Sequence, residues 1–481
     1  MCGIVGISDH RDAARLSHLA LFSMQHRGQE SAGIAVADAG IIRAHRGMGL
    51  VNEVFAGVNL EDFRGRAAVG HVRYSTAGGS RIENAQPLLV QSVRGQVALA
   101  HNGNLTNAMA LRRGLEERGA IFHGTSDTEV ILHLMSHAQG LPLDALCHAL
   151  RQCQGAFSVV VLMVHDGRER LVAVRDPWGF RPLIMGRLPR GVVFASETCA
   201  LELMGARFVR ELEPGEMVVA EGAEVHSSRP FPAARSAACV FEQVYFARPD
   251  SQVFGANVYQ ARVEMGRQLA REMLGAAVDM VVPVPDSGMP AALGFSQESG
   301  VPFQMGFIRN HYVGRTFIQP SQAKREQSVR MKLHPVREVL EGKRIVLIDD
   351  SIVRGTTSRK IVRMLRKVRV KEVHMAVSSP AIVAPCFYGI DTPAEDQLIA
   401  ARMPLADIAR YLGVDSLHYL SLDGLLKSVR TAAGKKPQPP SHCTACFTRE
   451  YPTDVPQLLP LGRVGRSSVL LPDAPTAAEA T

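Results

Sequence analysis

The segment KRIVLIDDSIVRGTTSRKIVRML at residues 343–365 decides the fold of the chain around it. Its pattern is a buried apolar strand, two acids, a loop of small residues and a segment compatible with a helix. VDMVVPVPDSG at residues 278–288 repeats the order of apolar strand and small-residue loop. Strands that alternate with helices in this way predict an α/β domain with parallel strands.

The loop after the strand has the residues of a phosphate-binding site. Asp349 and Asp350 emerge where the strand ends, the usual ligand position in α/β sheets, and can contact ribose hydroxyls directly or through Mg²⁺. Residues 354–357, Arg-Gly-Thr-Thr, then offer backbone N–H groups and hydroxyls at the start of a helix. A turn with a helix cap is the alternative. Paired acids directly before a Gly-Thr-Thr loop favour the binding site, because the two groups perform complementary tasks.

This segment resembles the phosphoribosyl pyrophosphate signature of type I phosphoribosyltransferases. The resemblance implies a binding site formed by Asp349, Asp350, Ser351, Arg354, Gly355, Thr356 and Thr357. It also implies that Ser287 joins the two aspartates around Mg²⁺. A loop from about Arg315 to Lys332 would close over the substrate, with charges suited to a pyrophosphate leaving group at Lys324, Arg325, Arg330 and Lys332. A solvated basic face is the competing interpretation of those charges.

Other stretches narrow the resemblance. FEQVYFARPDS (241–251), PVPDSG (283–288) and RNHYVGRTFIQP (309–320) look like those of the amidophosphoribosyltransferase family. That family transfers ammonia from glutamine to phosphoribosyl pyrophosphate, and it implies feedback inhibition by purine nucleotides and a homotetramer. One departure is KVRVKEV at 367–373, where a small Ala-Gly-like turn is usual. We therefore expect a stiffer or longer helix end there.

The chain before about residue 219 predicts a sheet-rich domain. Short β-rich runs such as CGIVGI, AFSVVVLMV and GVVFAS are separated by Gly and Asn turns. SSRPFPAARSAA, within residues 225–238, has the composition of a linker. We therefore predict domains at residues 1–230 and 231–430. Residues 431–481 form a C-terminal segment, in which TAAGKKPQPPS reads as an exposed connection and LPDAPTAAEAT as a disordered tail.

Cys2 is a candidate nucleophile at the start of the chain. Removal of Met1 would leave a thiol and a free α-amine on one residue, and an amine with a pKa of about 7.7 to 8.0 can take the thiol proton near neutral pH. A buried cysteine at the start of a strand is the alternative. Three other segments, HVRYSTAG, HNGNLTN and TSDTE, bear on the choice.

Each of these segments supplies a group suited to a glutamine amide. Arg73 is a two-pronged donor for a carboxylate, and Asp127 can pair with an ammonium group. Asn102 and Gly103 offer an amide and an unhindered N–H for an oxyanion. A surface ion pair, a helix cap and a hairpin turn are the respective alternatives.

Together with CGIVGI and HRGQESAG, these segments resemble the class II glutamine amidotransferases. The resemblance implies a four-layer αββα sandwich of the N-terminal nucleophile class. It implies that Cys2 is nucleophile and, through its amine, base, with Asn102 and Gly103 as the oxyanion hole. Arg73 and Asp127 would bind the α-carboxylate and α-amino groups of glutamine. No self-cleavage is expected, because Met1 alone precedes Cys2.

The eight cysteines do not form a secreted disulfide framework. Cys443 and Cys446 form CTAC, which alone fits a redox pair, half a zinc site or coincidence. The segments around Cys239, Cys386, Cys443 and Cys446 resemble those of relatives that carry a 4Fe-4S cluster, with these cysteines as ligands. Zinc is the main rival. Cys147, Cys153 and Cys199 read as ordinary buried thiols.

Bulk properties limit the class of protein. Apolar residues make up 46% and charged residues 21% of 481 residues, the balance of a soluble globular chain. The absence of an apolar run near 18 residues and of a signal sequence predicts a cytoplasmic protein without a membrane span. A net charge of +8 fits nucleic acid or an anionic small substrate, and the lack of zinc-finger or RNA-binding patterns favours the substrate.

Two other functions remain open at this point. A glutaminase with another acceptor, such as a sugar phosphate, is disfavoured by the DDSIVRGTT stretch. A regulator that binds phosphoribosyl pyrophosphate and DNA is disfavoured because a sensor needs none of the glutaminase residues.

Overall fold

The computed structural model describes residues 1–75, 78–232, 234–273, 277–310, 333–434 and 441–455. The loop predicted at 315–332, its Lys324, Arg325, Arg330 and Lys332, and the tail LPDAPTAAEAT lie outside these residues. Among the described residues no helix has the length and apolar composition needed to cross a membrane.

The first half of the chain is built from antiparallel strands. They are β1 Gly3–Ser8, β2 Ser31–Asp38, β3 Ile41–Met48, β4 Ala67–Arg73, β5 Leu88–Ser92, β6 Gly95–Leu105, β7 Gly155–His165, β8 Arg168–Arg175, β9 Ile184–Arg187, β10 Val192–Ala195, β11 Arg207–Glu211, β12 Met217–Glu221 and β13 Glu224–Ser228. One sheet has the order β11-β9-β10-β1-β4-β2-β3 and the other the order β13-β12-β8-β7-β6-β5.

Helices cover the outer faces of both sheets. They are α1 Ala13–Ser23, α2 Val51–Val54, α3 Ala108–Glu116, α4 Asp127–His137, α5 Pro142–Gln152 and α6 Thr198–Met204. Apolar residues of α1 and α6 pack on the first sheet, and those of α4 and α5 pack on the second. A third apolar cluster, which includes Ile4, Val160 and Phe194, lies between the sheets. This is the predicted αββα sandwich, and it explains why CGIVGI and AFSVVVLMV are apolar without alternation: both faces of their strands are covered.

The second half begins with small strands and continues as an α/β domain. Its strands are β14 Ala238–Cys239, β15 Gln252–Val253, β16 Ala256–Asn257, β17 Met280–Pro283, β18 Phe307–Arg309, β19 Leu333–Pro335, β20 Arg344–Asp349, β21 Glu372–Val377, β22 Ser416–Tyr419 and β23 His442–Cys443. Its helices are α7 Val258–Glu272, α8 Met289–Ser299, α9 Arg337–Leu340, α10 Thr356–Lys367, α11 Ile399–Arg402, α12 Leu405–Leu412, α13 Leu422–Ala433 and α14 Ala445–Thr448.

The main sheet of this half has the order β17-β20-β21-β22 with parallel pairing throughout. It confirms that VDMVVPVPDSG and KRIVLIDDS contain adjacent parallel strands. Because parallel strands end at one edge, the loops after β17 and β20 come together. Val284 N donates to Ile348 O at 2.8 Å, and this hydrogen bond joins the ends of the two strands.

Three details differ from the sequence predictions. The helix α10 ends at Lys367 and is not extended through KVRVKEV, because Arg369 adopts a left-handed φ of 61° and turns the chain. The strand β13 includes Ser227 and Ser228, the first residues of the predicted linker. The helix α13 runs to Ala433, so the start of TAAGKKPQPPS is helical rather than an exposed connection.

Candidate active sites

The first candidate site is a pocket beside Cys2 in the sandwich. About 230 Å³ of space, partly open to solvent, is lined by Cys2, Arg73, Tyr74, Gln86, His101, Gly103, Ser126, Asp127 and Thr128. Residues from the start of the chain, from the end of β4, from β6 and from the start of α4 therefore meet there. Cys2 Sγ lies 3.6 Å from Tyr74 O, and Cys2 as a whole is 8% exposed.

Asn102 lies directly against Cys2, and Gly103 lines the same pocket. Cys2 N donates to Asn102 Oδ1 at 3.1 Å, whereas Asn102 Nδ2 is buried without a hydrogen-bond partner in the described part of the chain. A buried amide donor left open beside a thiol can serve an oxyanion. Gly103 must be glycine, because a Cβ there would lie 2.0 Å from Ala156 O. Both residues belong to β6, so the alternative of a hairpin turn is wrong.

The side chains of Arg73 and Asp127 line the pocket. Arg73 is 2% exposed and is held by Glu30 at 3.2 Å and by Gly79 O at 3.1 Å, so it is not a surface ion pair. Asp127 Oδ2 accepts from Leu105 N at 2.9 Å. The cap of α4 is Ser126, whose Oγ accepts from Thr128 N, and Asp127 is the first helical residue. Its second carboxylate oxygen, Oδ1, accepts from Ser126 Oγ at 3.4 Å, and Asp127 lines the pocket beside Cys2.

A buried ion cluster under Cys2 was missed by the sequence analysis. Arg27 Nε donates to Cys2 O at 2.9 Å, and its terminal nitrogens contact Glu197 and Glu242. Arg181 lies 3.5 Å from Glu242, and the side chains of all four residues are fully buried. The segment HRGQESAG contains Arg27, but Glu197 and Glu242 lie more than 150 residues away in the chain.

Electrostatics in this cluster hold Glu197 charged. Burial opposes the charge on Glu197, yet His26 and Arg27 outweigh it and keep the pKa of Glu197 well below its usual range. Burial also lowers the pKa of the Met1 amine to about 5, with Arg181 and Arg27 adding to the effect. The Met1 amine is therefore neutral at pH 7.

The second candidate site is at the carboxyl edge of the parallel sheet. Asp349 and Asp350 are 7% and 5% exposed, Asp350 N donates to Asp349 Oδ1 at 3.0 Å, and Ser351 Oγ donates to Asp350 Oδ2 at 2.5 Å. Burial and the charge of Asp350 raise the pKa of Asp349 well above its ordinary value. Two adjacent buried carboxylates at a strand end are a donor set that suits a hard cation such as Mg²⁺.

The loop between Asp350 and α10 turns through Gly355. Gly355 has a φ of 73° and precedes Thr356 and Thr357, the first residues of α10, whose N-terminal N–H groups point out of the helix. Arg354 Nε donates to Gln397 Oε1 at 3.0 Å. The twelve-residue α10 thus begins beside the two acids and can receive a phosphate there.

Ser287 follows the neighbouring strand. A Cβ on Gly288 would lie 2.5 Å from Ile348 O, so the PVPDSG loop packs against the end of β20. The structure therefore brings the Ser287 loop to the same edge as Asp349 and Asp350.

Four cysteines line a third cavity, between the two halves and the C-terminal segment. A space of about 440 Å³ is bounded by Cys239, Cys386, Cys443 and Cys446 and by mainly apolar side chains such as Phe180, Phe241 and Ile382. The parallel pair of β14 and β23 places Cys239 opposite Cys443. Burial raises the pKa of Cys239 to about 11, against the effect of Arg181.

These four thiols reach the cavity from separate parts of the chain. Within the described ranges no three His, Cys, Asp or Glu side chains come close enough to hold one metal ion. Four cysteine side chains around one cavity are a ligand set that both a 4Fe-4S cluster and a structural zinc site use. Cys153 and Cys199 are buried among apolar residues, as expected for ordinary thiols, and Cys147 is partly buried.

Comparisons with known proteins cover both halves of the chain. A glutamine amidotransferase domain family matches residues 71–203, and a phosphoribosyl transferase domain family matches residues 256–381. The amidophosphoribosyltransferase of Archaeoglobus fulgidus is 49% identical over 461 residues, which span 95% of this chain and 99% of the relative.

Solved structures agree with these sequence matches. The glutamine phosphoribosylpyrophosphate amidotransferase of B. subtilis, complexed with ADP and GMP, has a TM-score of 0.87 at 45% identity and covers 95% of this chain and 98% of its own. A structure described as the allosteric regulatory enzyme of purine biosynthesis has a TM-score of 0.88 at 46% identity and covers 95% and 97%.

Proposed function

The chain belongs to the amidophosphoribosyltransferase family, and we propose how its own residues carry out the reaction of that family. The reaction transfers ammonia from glutamine to 5-phosphoribosyl 1-pyrophosphate and gives 5-phosphoribosylamine, glutamate and pyrophosphate, the first committed step of purine nucleotide synthesis. The observation that carries our assignment is the meeting of Cys2, Arg73, Gly103 and Asp127 around one pocket, with Asn102 bonded to Cys2 N.

The glutaminase half reaction starts at Cys2. Once Met1 is removed, the Cys2 amine takes the thiol proton, and Sγ attacks the amide carbon of glutamine. Asn102 Nδ2 and Gly103 N–H donate to the oxyanion of the tetrahedral intermediate. The C–N bond then breaks, the amine returns its proton to the leaving nitrogen, and ammonia departs. Water hydrolyses the γ-glutamyl thioester to glutamate and restores the thiol.

Arg73 and Asp127 would orient glutamine for this attack. The guanidinium pairs with the α-carboxylate, and the carboxylate of Asp127 pairs with the α-ammonium. Both groups are nearly buried, so their hydrogen bonds with the substrate form in a medium of low dielectric and contribute more than exposed pairs would.

The second half reaction takes place at the edge of the parallel sheet. Ammonia attacks C1 of the ribose, the bond from C1 to the pyrophosphate oxygen breaks, and the added nitrogen loses a proton. Asp349 and Asp350 would hold the ribose hydroxyls, and Ser351 with residues 354–357 would hold the 5-phosphate at the start of α10. Mg²⁺ held by Ser287, Asp349 and Asp350 would supply charge for the pyrophosphate.

We further propose that Cys239, Cys386, Cys443 and Cys446 hold a 4Fe-4S cluster. The meeting of four cysteines around one cavity with mainly apolar walls supports this assignment. The group would act as a clamp, because its ligands come from β14, from the loop after β21 and from the C-terminal segment. The chain's own contacts already join these parts, as in the pairing of Cys239 with Cys443.

Regulation and assembly follow the same family. The B. subtilis relative is complexed with ADP and GMP, so we propose that purine nucleotides inhibit this enzyme. We also propose a cytoplasmic homotetramer that acts on small molecules rather than on nucleic acid. Because free ammonia is lost or protonated, glutaminase turnover should stay low until phosphoribosyl pyrophosphate is bound.

A stoichiometry measurement tests the proposal. Glutamate and pyrophosphate should form in a ratio of one to one when both substrates and Mg²⁺ are present, and each product should be scarce when either substrate is omitted. Glutaminase turnover that ignores phosphoribosyl pyrophosphate would contradict the coupling of the two sites. Mass spectrometry should find Cys2 as the first residue of the active protein.

A further inference from the structure

The loop at residues 386–390 of the second half lies against the oxyanion strand of the first half. Asn104 Nδ2 donates to Phe387 O at 2.9 Å. A Cβ on Gly389 would lie 3.1 Å from both the carbonyl carbon and the oxygen of Gly103. The two backbones therefore approach each other closely, with no room for a side chain, at the residue whose N–H we assign to the oxyanion hole.

This stretch of β6 has less support from its own sheet than the rest of the strand. The strand β5 pairs with β6 from Gly95 to Leu99, and beyond Leu99 the sheet pairing of β6 in the described residues is with β7. The 386–390 loop meets the strand at Gly103 and Asn104, where β5 no longer does. It can therefore fix the backbone on which the oxyanion donors are mounted.

The loop is itself held firmly enough to act as a support. The Tyr388 ring stacks on Phe180 at 4.1 Å between centroids, and Tyr388 O accepts from Arg181 Nε at 2.9 Å. Thr453 N and Thr453 Oγ1 both bond the Tyr388 hydroxyl, at 3.1 and 2.9 Å. Cys386 N donates to Thr392 Oγ1 at 2.6 Å. Contacts from the sandwich and from the C-terminal segment thus converge on a loop of the α/β half.

We propose that the 386–390 loop is a positioning element for the oxyanion hole, so that Gly389 and Phe387 of the second half help to set the rate of cysteine chemistry in the first. This inference rests on the proposed role of Cys2, Asn102 and Gly103. Oxyanion donors contribute through their placement, and loss of one typically costs about 10²–10³ in kcat. A shift of a few tenths of an ångström should cost less, on the order of tenfold.

Two variants disturb the contact in different ways. Gly389→Ala adds a methyl group 3.1 Å from Gly103, inside the usual contact distance of about 3.5–4.0 Å between carbons, at a φ of 106° that disfavours alanine. Asn104→Ala adds no bulk and removes the hydrogen bond to Phe387 O. The control is Gly342→Ala, which also has a positive φ of 74° but meets open space.

Kinetic and binding measurements distinguish a displaced oxyanion hole from a general loss of structure in the variants. Glutamine-dependent kcat should fall about tenfold in both test variants, with the KM for glutamine nearly unchanged and with ammonia-dependent synthesis at the other site retained. A γ-aldehyde analogue of glutamate tests the same point by binding. The Cys2 thiol adds across its C=O bond, forming the C–S bond and passing its proton to oxygen, and that oxygen occupies the oxyanion hole. The Ki of the aldehyde should rise by the same factor by which kcat falls, while the Ki of glutamate stays constant.

The possible outcomes are distinct. A Gly389→Ala or Asn104→Ala protein whose glutamine-dependent kcat and aldehyde Ki remain within twofold of wild type overturns the inference. Equal losses of glutamine-dependent and ammonia-dependent activity overturn it as well, because they show general damage rather than loss of placement. Cys2→Ala is run alongside: if that variant keeps its glutaminase, the proposed function fails first. A dead Cys2→Ala with an unaffected Gly389→Ala leaves the proposed function standing and removes the positioning role alone.

Discussion

Replacing Glu242 by glutamine should destabilise the protein strongly, because Glu242 neutralises buried arginines. Arg27 and Arg181 carry two positive charges, and Glu197 and Glu242 carry two negative charges, in a cluster with fully buried side chains. Burial alone would lower the pKa of Arg27, but Glu242 and Glu197 outweigh it and raise the pKa. Glu242→Gln leaves one uncompensated positive charge in the interior.

The expected size follows from other buried ion pairs. Removing one partner of such a pair costs about 3–5 kcal/mol, since the remaining charge stays desolvated. With about 2–4 °C of Tm per kcal/mol for a large domain, Tm should fall by roughly 6–20 °C. Differential scanning fluorimetry at fixed protein concentration and scan rate measures this. The matched control is Glu298→Gln, whose partner Arg271 lies on the surface at 2.8 Å and whose loss should hardly move Tm.

The result that would refute the reasoning is specific. If Glu242→Gln melts within 2 °C of wild type, or no lower than the surface control, then the cluster does not depend on charge balance. Glutaminase measured below the melting range gives a second check, since Arg27 also holds Cys2 O at 2.9 Å. A displaced Arg27 should lower glutamine use more than ammonia use.

Three further predictions concern the sites. Asn102→Ala should lower glutamine-dependent kcat by a factor of about 10²–10³ with little change in ammonia-dependent synthesis. Steady-state kinetics with both nitrogen donors measures the two activities. Equal losses of both activities would count against the role of Asn102. Burial and the charge of Asp350 raise the pKa of Asp349. Between about pH 4 and the raised pKa, Asp349 is therefore protonated in the folded protein without ligand and ionised in the unfolded chain. The free energy of unfolding accordingly falls as pH rises through this range. Asp349→Asn should therefore raise Tm relative to wild type, increasingly with pH, while weakening Mg²⁺-dependent substrate binding in calorimetry; a constant difference in Tm would contradict the sign. Cys443→Ser should lower iron and sulfide per chain in anaerobically purified protein, whereas Cys147→Ser should not; equal metal content would argue against the cluster.

The phosphate-binding loop was predictable because it is local. The strand, both acids, the turn and the helix lie within residues 343–365, so the order of residues alone specifies their arrangement. The glutaminase pocket required more, because Cys2, Arg73, Asn102 and Asp127 come from distant positions. Resemblance to a family supplied that arrangement, and the αββα sandwich places the other three around Cys2.

Contacts between distant parts of the chain could not be predicted from the sequence. Arg27 in HRGQESAG gives no sign that its partners are Glu197 and Glu242, since a buried charge network depends on three-dimensional packing. The touch between Gly389 and Gly103 depends on two backbones approaching without side chains, which no local pattern encodes. The end of α10 was misjudged for a similar reason: Arg369 takes a conformation normally left to glycine, so the composition of KVRVKEV did not reveal the turn.

The central claim is that Cys2 supplies ammonia to a separate phosphoribosyl site. The most direct measurement compares wild type and Cys2→Ala for pyrophosphate release with glutamine or with ammonia as nitrogen donor. The account predicts that Cys2→Ala loses synthesis from glutamine and keeps synthesis from ammonia. Glutamine-dependent release of glutamate by Cys2→Ala would contradict it.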